Sequence, residues 1–386
     1  MAAEVFTRTQ TGSALALAVV AGCVPALQPI LLGGLLAEHR LTASQIGQAA
    51  TLEAIGMAVS AAVAGAWFKT NKLRAIAVAA AAMLCLANFM TMLTNGNAIL
   101  LSRALNGAAS GVLLWILVGL MTRSENPGRL FAVYVLLQAI VSFLLAALFS
   151  TVIVPRFGIA GGYGVLVALG VFLLLPIATM KPTYTPIAAS HESRWPTARG
   201  SVGLVAVALN MAGIFALWVY LVPLGVQLGF ARETVGIAVS AAIGVQILGG
   251  LVSFALAGRI GGATVTATSA GLSALLILLM FFFSTLSSFY ITIGLVAFFY
   301  SFAAPFHMPL LLTADPSHRS AMFVSSAQLV GVAAGPMIAS LTVSHIGFRG
   351  AAMVSGVLFA GAALFALASS SRKVASPPIL HEAMES

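Results

Sequence analysis

Long apolar stretches separated by short polar breaks dominate the chain. Twelve such stretches, each of roughly 20 residues or more, lie near 12–36, 44–66, 74–95, 98–121, 130–153, 158–180, 201–225, 234–257, 263–285, 288–312, 321–344 and 349–370. A helix needs about 20 consecutive apolar residues to cross a bilayer. The pattern therefore predicts an all-α polytopic membrane protein with 12 transmembrane helices.

A polar segment divides the twelve stretches into two sets of six. We expect four regions, which are an N-terminal six-helix bundle (1–180), a cytoplasmic linker (181–200), a C-terminal six-helix bundle (201–370) and a cytoplasmic tail (371–386).

An internal repeat also indicates two halves. Residues 41–47 superimpose without gaps on residues 230–236, a shift of 189 positions, which is nearly half of the 386 residues. The same shift carries the loop 69–72 onto 258–261. A unit duplicated in one orientation predicts two pseudo-symmetric six-helix bundles, as in transporters whose halves rock around a site between them.

Composition excludes a soluble fold, since 60% of the residues are hydrophobic and 7% are charged, against about 25% charged in soluble proteins. The net charge is +9, yet the chain has too little polar surface to bind nucleic acid. With both termini on one side of the membrane, 13 of the 18 basic residues fall on that side and four on the other. The positive-inside rule then predicts a multi-pass protein of the cytoplasmic (inner) membrane with both termini in the cytoplasm.

Several functional classes find no support in the sequence. No Gly-Lys-Ser/Thr follows the scattered glycines, which argues against ATP-driven transport. The six histidines lie far apart, and the cysteines, Cys23 and Cys85, lie in apolar runs, so we expect no metal site and no cofactor. Catalysis would need a nucleophile and a base at close helical spacing, which the membrane stretches lack, so we do not expect an enzyme.

Two motifs resemble those of the major facilitator superfamily. Residues 103–111, Arg-Ala-Leu-Asn-Gly-Ala-Ala-Ser-Gly, look like the family's Arg-x-x-x-Gly-x-x-x-Gly motif in the fourth helix, and residues 65–74 occupy the place of its signature loop. That loop departs from the family pattern, because Lys69 stands where the family carries an acidic residue that helps to latch the halves together. The resemblance covers essentially the whole chain and implies the family's fold and a secondary transporter that works by alternating access.

Three ionisable residues lie inside the predicted membrane stretches, namely Glu53, Arg103 and His307. Each is a functional candidate, because a charge within a bilayer is costly. Glu53 and Arg103 approach from the same end of their helices, which leaves an ion pair open to them. We expect Glu53 and His307 to carry the coupling proton and Arg103 to bind substrate. The alternatives are a fixed Glu53–Arg103 pair and a neutral His307 bonded to a carbonyl freed by the neighbouring prolines.

Proline-interrupted stretches in matching positions of the two halves point to a substrate site. The first stretch is broken at Pro25 and Pro29, and the seventh at Pro223. The other predicted substrate-binding residues are polar or aromatic groups at membrane depth, namely Gln28, Asn106, Gln138, Asn210, Trp218, Tyr220, Gln246 and Gln328.

The expected function is secondary active transport of a small organic solute, coupled to protons, by a monomer in the lipid bilayer. Symport of an organic anion is suggested by Arg103 and His307, and efflux of amphipathic compounds by the aromatic, weakly charged cavity, so the direction stays open. The alternative class is a non-transporting membrane receptor or an integral membrane enzyme.

Overall fold

The computed structural model describes residues 5–125, 127–185 and 195–370. Every regular element in these residues is a helix, which confirms the predicted all-α class. The predicted tail and residues 186–194 of the predicted linker lie outside the described residues.

The described helices form twelve spans. Spans 1 to 5 are Arg8–Ala37, Ala43–Trp67, Leu73–Leu93, Asn97–Met121 and Pro127–Leu148; span 6 joins Val154–Phe172 to Leu174–Thr179; span 7 joins Ala198–Trp218 to Leu221–Gln227; spans 8 and 9 are Arg232–Leu256 and Gly262–Phe282; span 10 joins Leu286–Ala303, the 3-10 turn Ala304–Phe306 and His307–Ala314; spans 11 and 12 are Val324–Ile346 and Phe348–Ser370. A short helix, Arg319–Met322, precedes span 11. We call spans 1–6 the first half and spans 7–12 the second half.

Spans 5 and 6 follow each other without a polar loop. The apolar helical stretch Arg129–Thr179 has 51 residues, which at 1.5 Å per residue would measure about 77 Å, more than twice the bilayer core. The helical backbone breaks at Gly158, whose φ of 64° suits a residue without a side chain. The stretch therefore contains two spans.

The spans alternate in direction, so their connections lie at two ends of the bundle. We call the end that carries Thr7 and the turns after even-numbered spans the proximal end, and the opposite end the distal end. Span 2 begins at the distal end with a capping box, in which the Thr42 hydroxyl accepts the Gln45 N–H and the Gln45 side chain accepts the Thr42 N–H. This exchange satisfies two N–H groups that the first helical turn leaves without partners.

The repeat is visible in atomic detail at the distal end. Glu38 Oε1 accepts the backbone N–H of Ile159 at 2.9 Å, and Gln227 Oε1 accepts the backbone N–H of Phe348 at 2.9 Å. In both cases the residue before the donor is a glycine with positive φ. Donors and acceptors are each related by the shift of 189 positions that relates the two sequence segments.

Glycines allow neighbouring spans to approach closely. Gly107 and Gly111 of span 4 lie against the backbone of Glu53 and Met57 of span 2, and a Cβ at either glycine would overlap those atoms. In the second half, the glycines of segment 331–336 in span 11 lie equally close to the backbone of span 7. The glycines of the family-like motif therefore serve helix packing.

The two halves meet at the distal end. The hydroxyl of Thr51 on span 2 donates to the carbonyl of Ala333 on span 11 at 2.8 Å, and the indole of Trp218 on span 7 donates to the carbonyl of Pro25 on span 1 at 3.2 Å. The largest hydrophobic cluster includes residues of both halves, whereas nearer the proximal end each half has a cluster of its own. The seam between the halves is therefore most tightly packed at the distal end.

Candidate functional site

Glu53 lies inside the first half, where its side chain is 3% exposed. Its Oε1 accepts a hydrogen bond from the Asn106 amide at 2.7 Å, and its Oε2 accepts one from the Gln28 amide at 3.2 Å. Among the described residues the one ion pair within 4.0 Å joins Arg40 to Glu38, at 3.8 Å. The Glu53 carboxyl therefore has two neutral amides as partners and no cation in contact with it.

Arg103 lies on the other side of those amides. Its Nη2 donates to Asn88 Oδ1 and to Thr91 Oγ1, both at 2.9 Å and both on span 3. Its guanidinium carbon lies 5.1 Å from the ring centre of Tyr163 on span 6. The Arg103 side chain is 1% exposed. These contacts direct it toward the interior of the first half.

Two amides connect the ionisable groups. Asn88 Nδ2 donates to Asn106 Oδ1 at 3.0 Å, which completes a chain from Glu53 through Asn106 and Asn88 to Arg103. We call these four side chains the polar chain. The direct Glu53–Arg103 ion pair that the sequence left open is not formed, because the amides occupy the space between the charges.

Asn88, Thr91 and Tyr163 were not among the predicted site residues. Asn88 and Thr91 could have been recognised from the sequence. They are polar residues in an otherwise apolar stretch, and because they lie three residues apart they share one helix face. Thr91 also meets the distal surface, where Arg40 donates to its carbonyl and to that of Thr94. Arg40 thus caps the C-terminal end of span 3 with a positive charge.

His307 forms a second buried cluster, in the second half, and is 0% exposed. Its Nε2 lies 3.2 Å from the Asn210 amide nitrogen, and its Nδ1 lies 3.1 Å from the Gln328 amide nitrogen. The sequence alternative was a bond to a freed carbonyl, but the partners are side-chain amides. A neutral imidazole accepts at one nitrogen and donates at the other, so one amide must present its oxygen, and a protonated ring would need both oxygens. Amide rotation can satisfy either state.

The prolines of span 1 explain the contact made by Trp218. In a helix the carbonyl of Pro25 would accept the N–H of residue 29, but residue 29 is a proline and has none. The Trp218 indole donates to this carbonyl from the other half. Tyr220 is fully buried nearby, and its hydroxyl lies against Gly47 of span 2 in the first half. Both aromatic residues therefore lie in the distal contact between the halves.

The remaining predicted residues lie on spans 5 and 8. Gln138 donates to the carbonyl of Gly22 on span 1 at 2.8 Å. Gln246 on span 8 is half-buried and makes no hydrogen bond within the described part of the chain. Its neighbour Gly244 lies against the Phe143 ring of span 5, but residues two apart do not share a helix face. Of the predicted groups, Gln246 is thus an amide without a partner in the described residues.

The loop with Lys69 in place of the acidic residue is held from within its own half. Leu73 N–H donates to the Pro182 carbonyl at 3.0 Å, and Tyr184 N–H donates to the Thr70 carbonyl at 2.9 Å. The Thr70 hydroxyl returns a bond to the Tyr184 carbonyl at 2.9 Å. The segment after span 6 thus fastens this loop.

Asp315 orders the proximal end of the second half. Burial raises the pKa of its carboxyl, but hydrogen bonds from Ser317, Ser320 and the Thr197 N–H outweigh it and hold the pKa below its usual value. The Ser317 hydroxyl donates at 2.7 Å and the Ser320 N–H at 3.0 Å. The described ranges hold no group of three His, Cys, Asp or Glu side chains that could share a metal ion.

Comparison with known proteins supports the fold. No protein-family model and no curated protein sequence matches this chain. The crystal structure of a mutant of the nucleoside transporter NupG resembles it with a TM-score of 0.73 at 14% sequence identity, over 93% of this chain and 98% of that chain. The chain thus shares the fold of that structure, and its described helices are long and apolar enough to span a membrane, as the sequence predicted. At this identity the likeness concerns the fold alone.

Proposed function

We propose that this protein is a secondary active transporter of a small organic solute, driven by protons, rather than an enzyme or a receptor. The observation that carries the proposal is the position of Glu53, a buried carboxyl held by amides from two different spans. A carboxyl with neutral partners can exist with or without its proton, unlike one that is fixed in an ion pair. Glu53 is therefore suited to bind and release a proton.

Glu53 is also linked, through Gln28, to the contact between the halves. Gln28, which donates to Glu53, lies on span 1 one turn beyond Pro25, the residue that accepts the bond from Trp218. When Glu53 is protonated, its carboxyl loses its negative charge and one of its oxygens becomes a weaker hydrogen-bond acceptor. Its hydrogen bond with Gln28 then weakens. The proton on Glu53 then biases the helix segment that holds the distal seam closed.

His307 is the second proposed proton carrier, because its two amide partners can satisfy both protonation states. It lies in the other half and close to the opposite end of the bundle. Ionisable residues inside the membrane commonly mark proton pathways in transporters.

The proposed substrate is an uncharged polar or amphipathic solute with an aromatic part. Arg103 faces the inside of the first half, so an organic anion would lack its expected cationic partner at the seam. Gln246 on span 8 offers an unpaired amide, and Phe215 and Tyr300 offer aromatic rings whose centres lie 6.3 Å apart. Nucleosides join the solutes to be tested because NupG transports them. The direction of transport stays open.

The test is transport by purified protein in proteoliposomes. Glu53→Gln should abolish accumulation driven by a proton gradient while leaving counterflow of substrate, because exchange needs no net proton movement. Glu233→Gln, an exposed glutamate at the start of span 8, is the matched control and should behave as wild type. Full accumulation by Glu53→Gln would assign the proton elsewhere, with His307 next in order.

The proposed orientation places the proximal end, and with it both termini, in the cytoplasm. It follows from the basic residues, 13 of 18 on that side. Reporter fusions at Asn95 and Val154 should then report the outside, and fusions at Ser124 and His191 the cytoplasm. An outside report at His191 would refute the twelve-span arrangement.

A further inference from the structure

Arg103 has donors that nothing in the polar chain uses. A guanidinium carries five N–H bonds, and the two on Nη2 are taken by Asn88 and Thr91. Nε and Nη1 are both buried and have no hydrogen-bond partner, which leaves three N–H bonds free. The hydroxyl of the adjacent Tyr163 is also buried without a partner. Groups of this kind are nearly always satisfied in folded proteins, so a bound species is expected here.

The charge around Arg103 decides what that species is. Its direct partners, Asn88 and Thr91, are neutral, and Tyr163 contributes a ring face. The charged groups near it are Glu53, two amides away along the polar chain, and Arg40, at the distal surface. A water molecule could accept from the free donors but would leave the buried positive charge with only partial compensation, from Glu53 two amides away, which is unfavourable in a membrane interior. An anion satisfies both the donors and the charge.

We propose that Arg103 binds a small monovalent inorganic anion, of which chloride is the representative, at its unpartnered N–H donors. The unpartnered groups of Arg103, Nε and Nη1, are both donors, which an anion can accept and a cation cannot. Arg103 lies six residues after the start of span 4 at Asn97, about 9 Å along the helix from the distal end.

Anion binding is linked to the proton on Glu53. Ionised Glu53 partly compensates Arg103 and repels an anion, whereas protonated Glu53 does neither. The other groups that face Glu53 are uncharged, with Gln28 on span 1 and Asn106 on span 4. Protonation of Glu53 and binding of the anion therefore favour each other. For charges on the order of 10 Å apart at an effective dielectric constant of about 20, the effect on affinity is about tenfold.

The experiment measures halide binding by the purified full-length protein. The melting temperature is followed between pH 5 and 8 while sodium chloride or sodium bromide replaces sodium gluconate at constant ionic strength. A ligand that binds the folded state raises the melting temperature with its concentration. Wild type should show a saturable halide response whose half-saturating concentration falls as the pH falls.

Four variants locate the site. Arg103→Gln should lose the halide-specific response and Arg103→Lys should retain a weaker one, while Arg232→Gln, which removes an exposed charge at the distal end, should match wild type. Glu53→Gln mimics the protonated carboxyl, so its half-saturating concentration should be independent of pH and about tenfold below that of wild type with Glu53 ionised.

Two results would overturn the proposal. Equal melting temperatures in chloride and gluconate, for wild type and Glu53→Gln alike, would mean that water and not an anion accepts hydrogen bonds from the free N–H groups of Arg103. A halide response that survives intact in Arg103→Gln would place the ion elsewhere. Because the assay measures binding without transport, its failure and the failure of the proposed transport function are distinguishable.

Discussion

The hydrogen bond from Trp218 to the Pro25 carbonyl offers a direct test of how the distal seam is held. Trp218→Phe keeps an aromatic ring but removes the N–H donor. The Pro25 carbonyl then has no donor, since Pro29 cannot supply the helical one. Hydrogen bonds between helices in membranes contribute about 0.6 kcal/mol on average and up to about 1.7. A loss of about 1 kcal/mol shifts the equilibrium between closed and open seams about fivefold toward open.

The matched variant is Pro29→Ala, which gives residue 29 an N–H that can bond the Pro25 carbonyl within span 1. In this background the carbonyl keeps a donor when Trp218 is replaced. Trp218→Phe should therefore open the seam less in Pro29→Ala than in wild type, by about the 1 kcal/mol assigned to the unsatisfied carbonyl.

The seam can be followed by distances between spin labels at the distal end, one on each half. Ala98→Cys on span 4 and Ser287→Cys on span 10 provide exposed attachment points, with Cys23→Ala and Cys85→Ala to remove the native thiols. The ratio of long to short distances should rise about fivefold in Trp218→Phe. The reasoning is refuted if that ratio is unchanged, or if it rises equally in both backgrounds.

Four further variants, at three positions, are tested by thermal unfolding of the purified protein. Gly107→Ala places a Cβ against the backbone of Glu53 and should lower stability by about 1–3 kcal/mol; unchanged melting would contradict the close packing. Glu38→Gln should be tolerated, because Gln227 makes the same bond in the repeat, whereas Glu38→Ala should cost about 1 kcal/mol. Asp315→Asn should lower stability by about 2 kcal/mol at neutral pH. Because the folded pKa of Asp315 is lowered, its contribution is present above the unfolded pKa of about 4 and lost below it, so the difference should vanish in acid.

The fold could be predicted from the sequence because membrane length and periodicity constrain it strongly. Apolar stretches long enough to span a bilayer leave little choice but helices. Segments 41–47 and 230–236 are still similar enough for the repeat to be recognised in the sequence. The same shift of 189 positions relates Glu38 to Gln227, whose side chains accept equivalent backbone hydrogen bonds. The exception is the connection of spans 5 and 6, where helical backbone continues through Phe149–Ile153 and the break falls at Gly158.

The site could be predicted less completely, since the choice of partner depends on side-chain direction. Span numbers and depths correctly place Glu53 and Arg103 on neighbouring helices near one end. They do not say that two amides separate the charges, because Asn88 belongs to a third span. Likewise Trp218 is recognisable as a polar aromatic group at membrane depth, but its role at the seam depends on a carbonyl that only Pro29 leaves free.

The duplication that preserves the distal caps does not preserve the ionisable groups. At the same shift of 189, Glu53 corresponds to Ala242 and Arg103 to Thr292. Caps persist because each helix end needs its N–H groups satisfied. A buried charge is retained only where its own partners are present, and in the second half Ile277 stands at the position equivalent to Asn88. The charged machinery is therefore distinct in the two halves.

Because the ionisable groups are not duplicated, the two proposed proton carriers, Glu53 and His307, lie nearer to opposite ends of the bundle. Glu53 lies ten residues from the distal start of span 2, about 15 Å, and His307 lies seven residues from the proximal end of span 10, about 10 Å. They also belong to different halves. A proton that enters at one and leaves at the other must cross the seam between the halves, the surface that alternating access opens and closes. Coupling of protons to solute would then follow from where the two groups lie, without direct contact between either group and the solute.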